Sequence, residues 1–215
     1  MVTQLESLSP RKLSTMSASI WVRCGQIVFV SICILLIFVI VAVFASFRRD
    51  REIGRAIVSN GGEVRFQYCG PKWIPYSVRC ENRDWDRITA VKLGRSSLPD
   101  DLFHQLRLLT RLQTLGLRES NVTDSMLEEL KSLTDLRTLD LRDTQVTDAG
   151  IVHLKSMTHL TELYLRRTDV SDVGLEHLKQ LPELRNLYLR DTNTTVEGRR
   201  SFRAARPHCI VTPIP

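Results

Sequence analysis

A 24-residue repeat constrains the fold of this 215-residue chain more than any other feature. Four copies follow one another without a gap, at residues 109–132, 133–156, 157–180 and 181–204. A fixed period of this length is typical of stacked solenoids, in which each repeat contacts only its neighbours. A lone repeat would leave its apolar faces exposed to water, so we expect the copies to fold together.

Within each repeat the apolar residues are at first two positions apart and later three positions apart. Leu139 and Leu141 alternate with polar residues, as in a strand that has one buried face. Ile151 and Leu154 lie three apart, after a polar turn at Thr147 that can cap a helix. Each repeat is therefore predicted to be a short strand, a turn and about two turns of helix.

The repeated pattern L-x-x-L-x-L-x-x-T-x-V-T-D-x-G-L-x-x-L resembles the leucine-rich repeat. The resemblance is to the 24-residue T-D-x-G-L variety found in F-box-type and bacterial repeat proteins. It implies an α/β fold: a short leucine-rich-repeat solenoid with a parallel sheet inside and helices outside.

The two ends of the array are atypical, as a solenoid requires. Residues 85–108 form a degenerate first repeat, which keeps the apolar positions but lacks the T-D-x-G turn. In residues 181–204, Thr194, Val196 and Arg199 stand where Val, Asp and Leu are expected, so this last repeat is predicted to act as a cap. Residues 205–215 complete a C-terminal cap, because their prolines oppose a continued helix.

Residues 27–47 are 21 successive residues without a charge. At about 1.5 Å per residue, such a helix spans a hydrocarbon core of about 30 Å. We predict a single transmembrane helix, preceded by a disordered tail at residues 1–26, and hence a single-pass membrane protein. A cleaved signal peptide is the alternative, although the apolar run and the tail before it are long for one.

The side of the membrane that holds the repeat domain is only weakly indicated. Three basic residues precede the apolar run closely and five follow it, at residues 48, 49, 51, 55 and 65. Because basic residues are retained in the cytoplasm, this small difference favours a cytoplasmic repeat domain.

Residues 48–84 are predicted to form a juxtamembrane helix and an N-terminal cap. The helix should stop at Gly61 and Gly62, and an edge strand should follow at residues 63–68. This arrangement resembles the segment that precedes leucine-rich repeats in membrane-anchored proteins of planctomycete bacteria. Cys69 and Cys80 lie close enough in sequence for a disulfide in an oxidising compartment, with two packed thiols as the equal alternative.

The sequence contains no motif of a known class of catalytic site, so an enzyme is not predicted and no cofactor is implied. His153 and His177 share a register position with Glu129, but two histidines without a further ligand do not predict a metal site. The net charge of +6 does not indicate nucleic-acid binding, since residues 109–198 carry 11 Lys or Arg against 15 Asp or Glu.

The predicted inner face of the sheet carries a column of arginines about 4.8 Å apart. A mixed column of acidic residues and Arg167 runs beside it, and two tyrosines lie two positions before the arginines. The candidate partner-binding residues are Tyr164, Arg166, Arg167, Tyr188, Arg190, Arg142 and Arg118.

Two interpretations of this face remain open. In the first, the neighbouring acidic residues neutralise the arginines, and this interpretation is favoured for Arg118 and Arg142. In the second, the tyrosines and the later arginines form a hot-spot patch with unpaired charge. The second interpretation predicts a membrane-anchored, non-enzymatic module that binds a protein or peptide, preferably an acidic one, through its concave face. A structural or self-associating cell-envelope protein is the alternative function.

Overall fold

The computed structural model describes residues 10–69, 86–94 and 99–213. Side chains at residues 10–30, 33, 40, 43 and 44 are outside this description. The chain divides into two compact units, residues 1–46 and residues 47–215. Cys80 lies outside the described residues, so the predicted choice between a disulfide and two thiols stays a prediction.

The described residues of the first unit belong to α1, whose full range is Pro10–Ser59. Residues 10–26 are thus helical, where the sequence predicted a disordered tail, because extending a helix from an existing one avoids the cost of nucleation. Large apolar side chains are exposed along α1: Ile32, Ile34, Leu35, Leu36, Ile37, Phe38, Val39 and Val41. Among the residues whose side chains are described, no helix is both long and apolar enough to span a membrane. Part of the predicted segment 27–47 lies outside those residues.

Seven strands form one sheet in the described part of the chain, in the order β1 to β7. The strands are β1 (Glu63–Tyr68), β2 (Asp86–Lys92), β3 (Thr114–Gly116), β4 (Thr138–Asp140), β5 (Glu162–Tyr164), β6 (Asn186–Tyr188) and β7 (Ile210–Thr212). β1 is antiparallel to β2, and every later pair is parallel. The predicted parallel sheet of an α/β solenoid is therefore confirmed. β1 and β7 extend the sheet of the repeats at its two ends.

Short helices follow the strands on the opposite side of the core. They are α2 (Asp100–Leu106), α3 (Asp124–Glu129), α4 (Asp148–Ile151), α5 (Asp172–Leu178) and α6 (Val196–Ala205). Two 3₁₀ turns, Leu130–Ser132 and Val152–Ser156, continue α3 and α4. The strand and helix leucines meet in one continuous core, in which most side chains have 0–2% of their surface exposed.

In the first three full repeats, the Asp of the turn before the helix joins its own repeat to the next. Asp148 Oδ1 accepts hydrogen bonds from Ser171 N at 2.8 Å and Gly174 N at 2.9 Å, and Oδ2 accepts one from Ser171 Oγ at 2.5 Å. Asp124 and Asp172 contact Thr147 and Thr195 in the same way. Thr147, Ser171 and Thr195 in turn cap their helices by accepting from a backbone N–H.

The C-terminal end of α1 belongs to the second unit and packs beneath the first strands. Ile53 and Ile57 are buried, and α1 ends at Ser59, shortly before Gly61, whose φ of 79° is the left-handed conformation that glycine accepts. Asp50 is buried beside Arg87, with Arg87 Nη1 3.3 Å from Asp50 Oδ2. Burial raises the pKa of Asp50, and the Arg87 charge opposes this effect. The Arg87 guanidinium also lies 4.1 Å from the centre of the Phe47 ring, so two contacts join this part of α1 to β2.

Candidate functional site

The concave face of the sheet is formed by strand residues that alternate with the buried leucines. The pairing register places Leu139, Leu163 and Leu187 in one buried column. The residue after each leucine faces away from the core, so Asp140, Tyr164 and Tyr188 lie side by side on the exposed side. The arginines follow two positions later, as the sequence predicted.

Tyr164 and Tyr188 stack face to face, with ring centres 4.3 Å apart and planes inclined by 2°. Both rings are half-buried, and the Arg142 guanidinium lies 5.3 Å from the centre of the Tyr164 ring. The Tyr164 hydroxyl donates to Glu162 Oε2 at 3.2 Å. Burial, with the nearby Glu162 charge and Tyr188, raises the pKa of Tyr164 to about 12. Tyr164 is therefore uncharged at neutral pH, and the two stacked rings form a flat platform.

Arg118 and Arg142 are paired with carboxylates. Arg142 Nε and Nη2 donate to Asp140 Oδ1 and Oδ2 at 2.8 and 2.5 Å, and this pairing raises the pKa of Arg142. Arg118 lies 2.8 Å from Glu119 and 3.5 Å from Asp143. For these two residues the structure agrees with the neutralised interpretation.

Arg166, Arg167 and Arg190 surround a single carboxylate. Their Nε atoms lie 3.6, 3.7 and 3.8 Å from Asp191 Oδ2, which is longer than a hydrogen bond. Arg167 also lies 3.1 Å from Asp143. If Arg167 is assigned to Asp143, two arginines share Asp191, and the excess is one positive charge. The prediction of an unpaired arginine patch is corrected accordingly, because Asp191 on the adjacent column neutralises half of this charge.

The column beside the arginines lies three residues beyond the end of each strand. Glu119, Asp143, Arg167 and Asp191 have φ angles of 55–58°, in the left-handed region that few residues other than glycine adopt. The N–H groups of the first three donate to the carbonyls of Arg142, Arg166 and Arg190 in the next repeat, at 2.9–3.0 Å. These bonds between repeats offset the strain. The chain turns here, so side chains in this column lie at the edge of the concave face.

Two residues of the concave face were missed in the sequence. Ile210 pairs with Asn186, and Thr212 with Tyr188, so β7 continues the columns of β6. The Ile210 side chain is 64% exposed, and Thr212 Oγ1 is buried without a hydrogen-bond partner among the described residues. The alternation of Ile210, Val211 and Thr212 matches that of β6, but the prolines around it favoured a cap without a strand.

The histidines do not assemble into a metal site. In the described ranges, no three His, Cys, Asp or Glu residues lie close enough together to hold a metal ion. Glu129 pairs with His104 at 2.5 Å and His159 with Glu183 at 3.1 Å. Cys209 is buried, and this burial raises the pKa of its thiol to about 11.

A sequence model of the leucine-rich-repeat family matches residues 134–193. No curated protein matches this chain. Similar solved structures include internalin C2 of Listeria monocytogenes, with 26% identity and a TM-score of 0.45 over 56% of this chain and 50% of that chain. They also include the leucine-rich-repeat ectodomain of the receptor kinase SOBIR1 of Arabidopsis thaliana, with 16% identity and a TM-score of 0.46 over 69% of this chain and 82% of that chain.

This chain therefore spans half the length of internalin C2. The family match covers the second and third full repeats and about the first half of the fourth. In residues 134–193, a match to the leucine-rich-repeat model thus coincides with a repeated strand–turn–helix geometry.

Proposed function

We propose that this chain is a membrane-anchored, non-enzymatic module that binds a protein or peptide through the concave face of its repeats. The observation that carries the proposal is the stacked Tyr164–Tyr188 platform with Arg142, Arg166 and Arg190 beside it. Tyrosine and arginine are the residue types that dominate the binding energy of protein interfaces. The excess positive charge beside Asp191 favours an acidic partner.

The size of the surface limits what it can bind alone. Seven strands about 4.8 Å apart span about 29 Å, and the tyrosine and arginine patch covers only part of that length. A standard protein interface buries about 800 Å² on each partner. The proposed partner therefore contributes a small segment to this patch, or it also contacts the loops or a second copy of the chain.

Capture of partners from the native membrane tests this function. Full-length chain is crosslinked in place, purified and compared with Tyr188→Ala and Arg166→Glu variants. Both substitutions should abolish capture of a specific partner, with a loss of at least about 2 kcal/mol, and leave thermal stability nearly unchanged because neither side chain lies in the core. His153→Glu, on the helical side, is the matched control. Loss of the partner with His153→Glu alone would place the binding surface on the helices.

Self-association is the competing function, and the same preparation tests it. A concave face that is free for a partner predicts a monomeric chain in nanodiscs, measured by light scattering. A stable dimer that Tyr188→Ala dissociates would favour the structural, self-associating alternative.

The proposal also places residues 27–47 across a membrane. The support is the uncharged run of 21 residues together with eight large apolar side chains that are exposed in its described part, between residues 32 and 41. The resemblance to membrane-anchored planctomycete proteins, and to the 24-residue repeat variety of F-box-type and bacterial proteins, is part of this proposal. The five basic residues after the run favour a cytoplasmic repeat domain.

Membrane insertion predicts that the full chain stays in the pellet after an alkaline carbonate wash and needs detergent for extraction. Protease protection of the repeat domain in sealed vesicles then reports its side. Recovery of the intact chain in the carbonate supernatant would show that residues 27–47 do not span the membrane.

A further inference from the structure

The cap strand β7 adds an apolar element to the concave face, next to the tyrosine platform. Ile210 stands beside Asn186, and Tyr188 and Arg190 follow Asn186 at intervals of two residues. The Ile210 side chain is large and apolar, and 64% of its area is exposed. An apolar, an aromatic and a cationic group thus lie in sequence along the C-terminal end of the concave face.

The spacing of these three groups is that of an extended chain. Side chains two residues apart on one face of a strand are about 6.6 Å apart, and neighbouring strands are about 4.8 Å apart. Four residues along the strand direction and one strand across give about 14 Å between Ile210 and Arg190. Because the spacing comes from a strand, a second strand-like segment laid along it presents its own side chains i, i+2 and i+4 at the same intervals.

The charge at the Arg190 end fits one carboxylate. Arg166 and Arg190 share Asp191, which leaves one positive charge without a counterion in this pair of contacts. Arg166 Nε is buried and has no hydrogen-bond partner in the described part of the chain. The Arg190 side chain is 68% exposed, so its donors are accessible from solvent. A carboxylate with one negative charge balances the site, whereas a phosphate with about two would leave it negative.

We propose that this surface binds an extended segment of a partner protein that carries an apolar residue, a second apolar or aromatic residue two positions on, and an acidic residue two positions further, in either chain direction. The first residue contacts Ile210, the second contacts Tyr188, and the acidic residue contacts Arg190 and Arg166. This inference rests on the proposed function, since it specifies the partner of the same concave face.

Selection from a library of displayed random nonapeptides tests the inference, with purified full-length chain in detergent micelles as the target. The recovered peptides should be enriched in an acidic residue four positions from an apolar residue. The best peptide is then synthesised, together with a version in which glutamine replaces the acidic residue, and their affinities are measured by fluorescence anisotropy.

The variants test each contact separately. Arg190→Gln should weaken the acidic peptide about tenfold and leave the glutamine peptide unchanged, because the lost contact is a charge-assisted hydrogen bond. Ile210→Ser should weaken both peptides to the same extent. Arg107→Gln, which removes an exposed arginine directly after α2, is the matched control and should change neither affinity.

Each other result overturns the inference. Two results would disprove the carboxylate contact: recovered peptides without the acidic enrichment, or an Arg190→Gln effect that is equal for both peptides. Phosphopeptides that outcompete the acidic peptide would assign the site to phosphate. Absence of any binding peptide would exclude a short extended segment. The proposed function stands in all of these cases if Tyr188→Ala still abolishes capture of a native partner, and it fails separately if that capture is unaffected.

Discussion

Gly174 is packed so closely against the preceding repeat that a larger residue does not fit. A Cβ atom at this position would lie 2.5 Å from Asp148 Oδ1 and 2.7 Å from Val170 Cγ1. Those distances are shorter than any ordinary contact, and Asp148 is itself held by three hydrogen bonds. The glycine of the T-D-x-G turn is therefore required by the neighbouring aspartate.

We expect Gly174→Ala to destabilise the repeat domain by about 1–3 kcal/mol, because overpacking displaces the aspartate or the backbone. Urea unfolding followed by circular dichroism measures the change. Gly94→Ala is the matched control, since a Cβ there would meet no atom within 4 Å, and it should change stability by less than about 0.5 kcal/mol. Equal effects of the two substitutions would contradict this packing argument.

Tyr164 should ionise later than an ordinary tyrosine, at a pH of about 12, because its burial and the Glu162 charge oppose the phenolate. The folded pKa lies above the unfolded value of about 10. Stability from this group is therefore complete below pH 10 and is lost as the pH rises towards 12. Titration of the phenolate absorbance should show a late step that Tyr164→Phe removes. A Tyr164→Phe curve that keeps this step would assign it to another tyrosine.

The turn and helix of each repeat are joined to the next repeat by an aspartate. Asp124, Asp148 and Asp172 all bind the capping residue of the following helix. In the last repeat the corresponding position is Val196, which offers no acceptor to a further repeat. The replacement of this aspartate by valine gives a physical reason for the end of the array. In the sequence, the end was indicated only by a departure from the repeat pattern.

Asp148→Ala should cost about 1–3 kcal/mol, because it leaves the Ser171 hydroxyl and two backbone N–H groups without their acceptor. The loss should appear in the urea midpoint of unfolding. Asp169→Ala, an exposed aspartate in the following turn, is the control and should have a small effect. A similar loss for both would mean that general surface charge, and not the contact between repeats, is responsible.

The array as a whole is stabilised by neighbours on both sides of each repeat. Leu139 on β4 has 0% of its side chain exposed, with repeats on both sides, and Leu189 after β6 has 1% exposed, with only the cap beyond it. The cap is a single helix and a three-residue strand, α6 and β7. Burial is thus nearly equal at the two positions, whereas the amount of structure that supports them differs.

We expect Leu139→Ala to cost about 2–5 kcal/mol through the lost transfer free energy and the cavity. Leu189→Ala should cost less, because the smaller cap can close around the cavity more easily. Denaturant midpoints of the two variants measure the difference. Equal losses would show that β7 and α6 pack as rigidly as a central repeat.

Local periodicity was sufficient to predict the strand–turn–helix order, the parallel sheet and the adjacent positions of Tyr164 and Tyr188. These features depend on spacing along the chain, and a solenoid converts a fixed spacing directly into neighbouring positions in space. Helix formation at residues 10–26 and the strand β7 were not predicted, since both depend on an adjacent element that supports them.

The charge balance of the concave face was decided only in the tertiary structure. The register of the repeats places Asp143 and Asp191 beside the arginines. The left-handed turn at these residues then determines which guanidinium each carboxylate reaches. Ile210 became part of the surface for a related reason, because pairing with β6 turns its side chain to the concave side. Ion pairs and exposure depend on side-chain direction, which a repeat pattern does not encode.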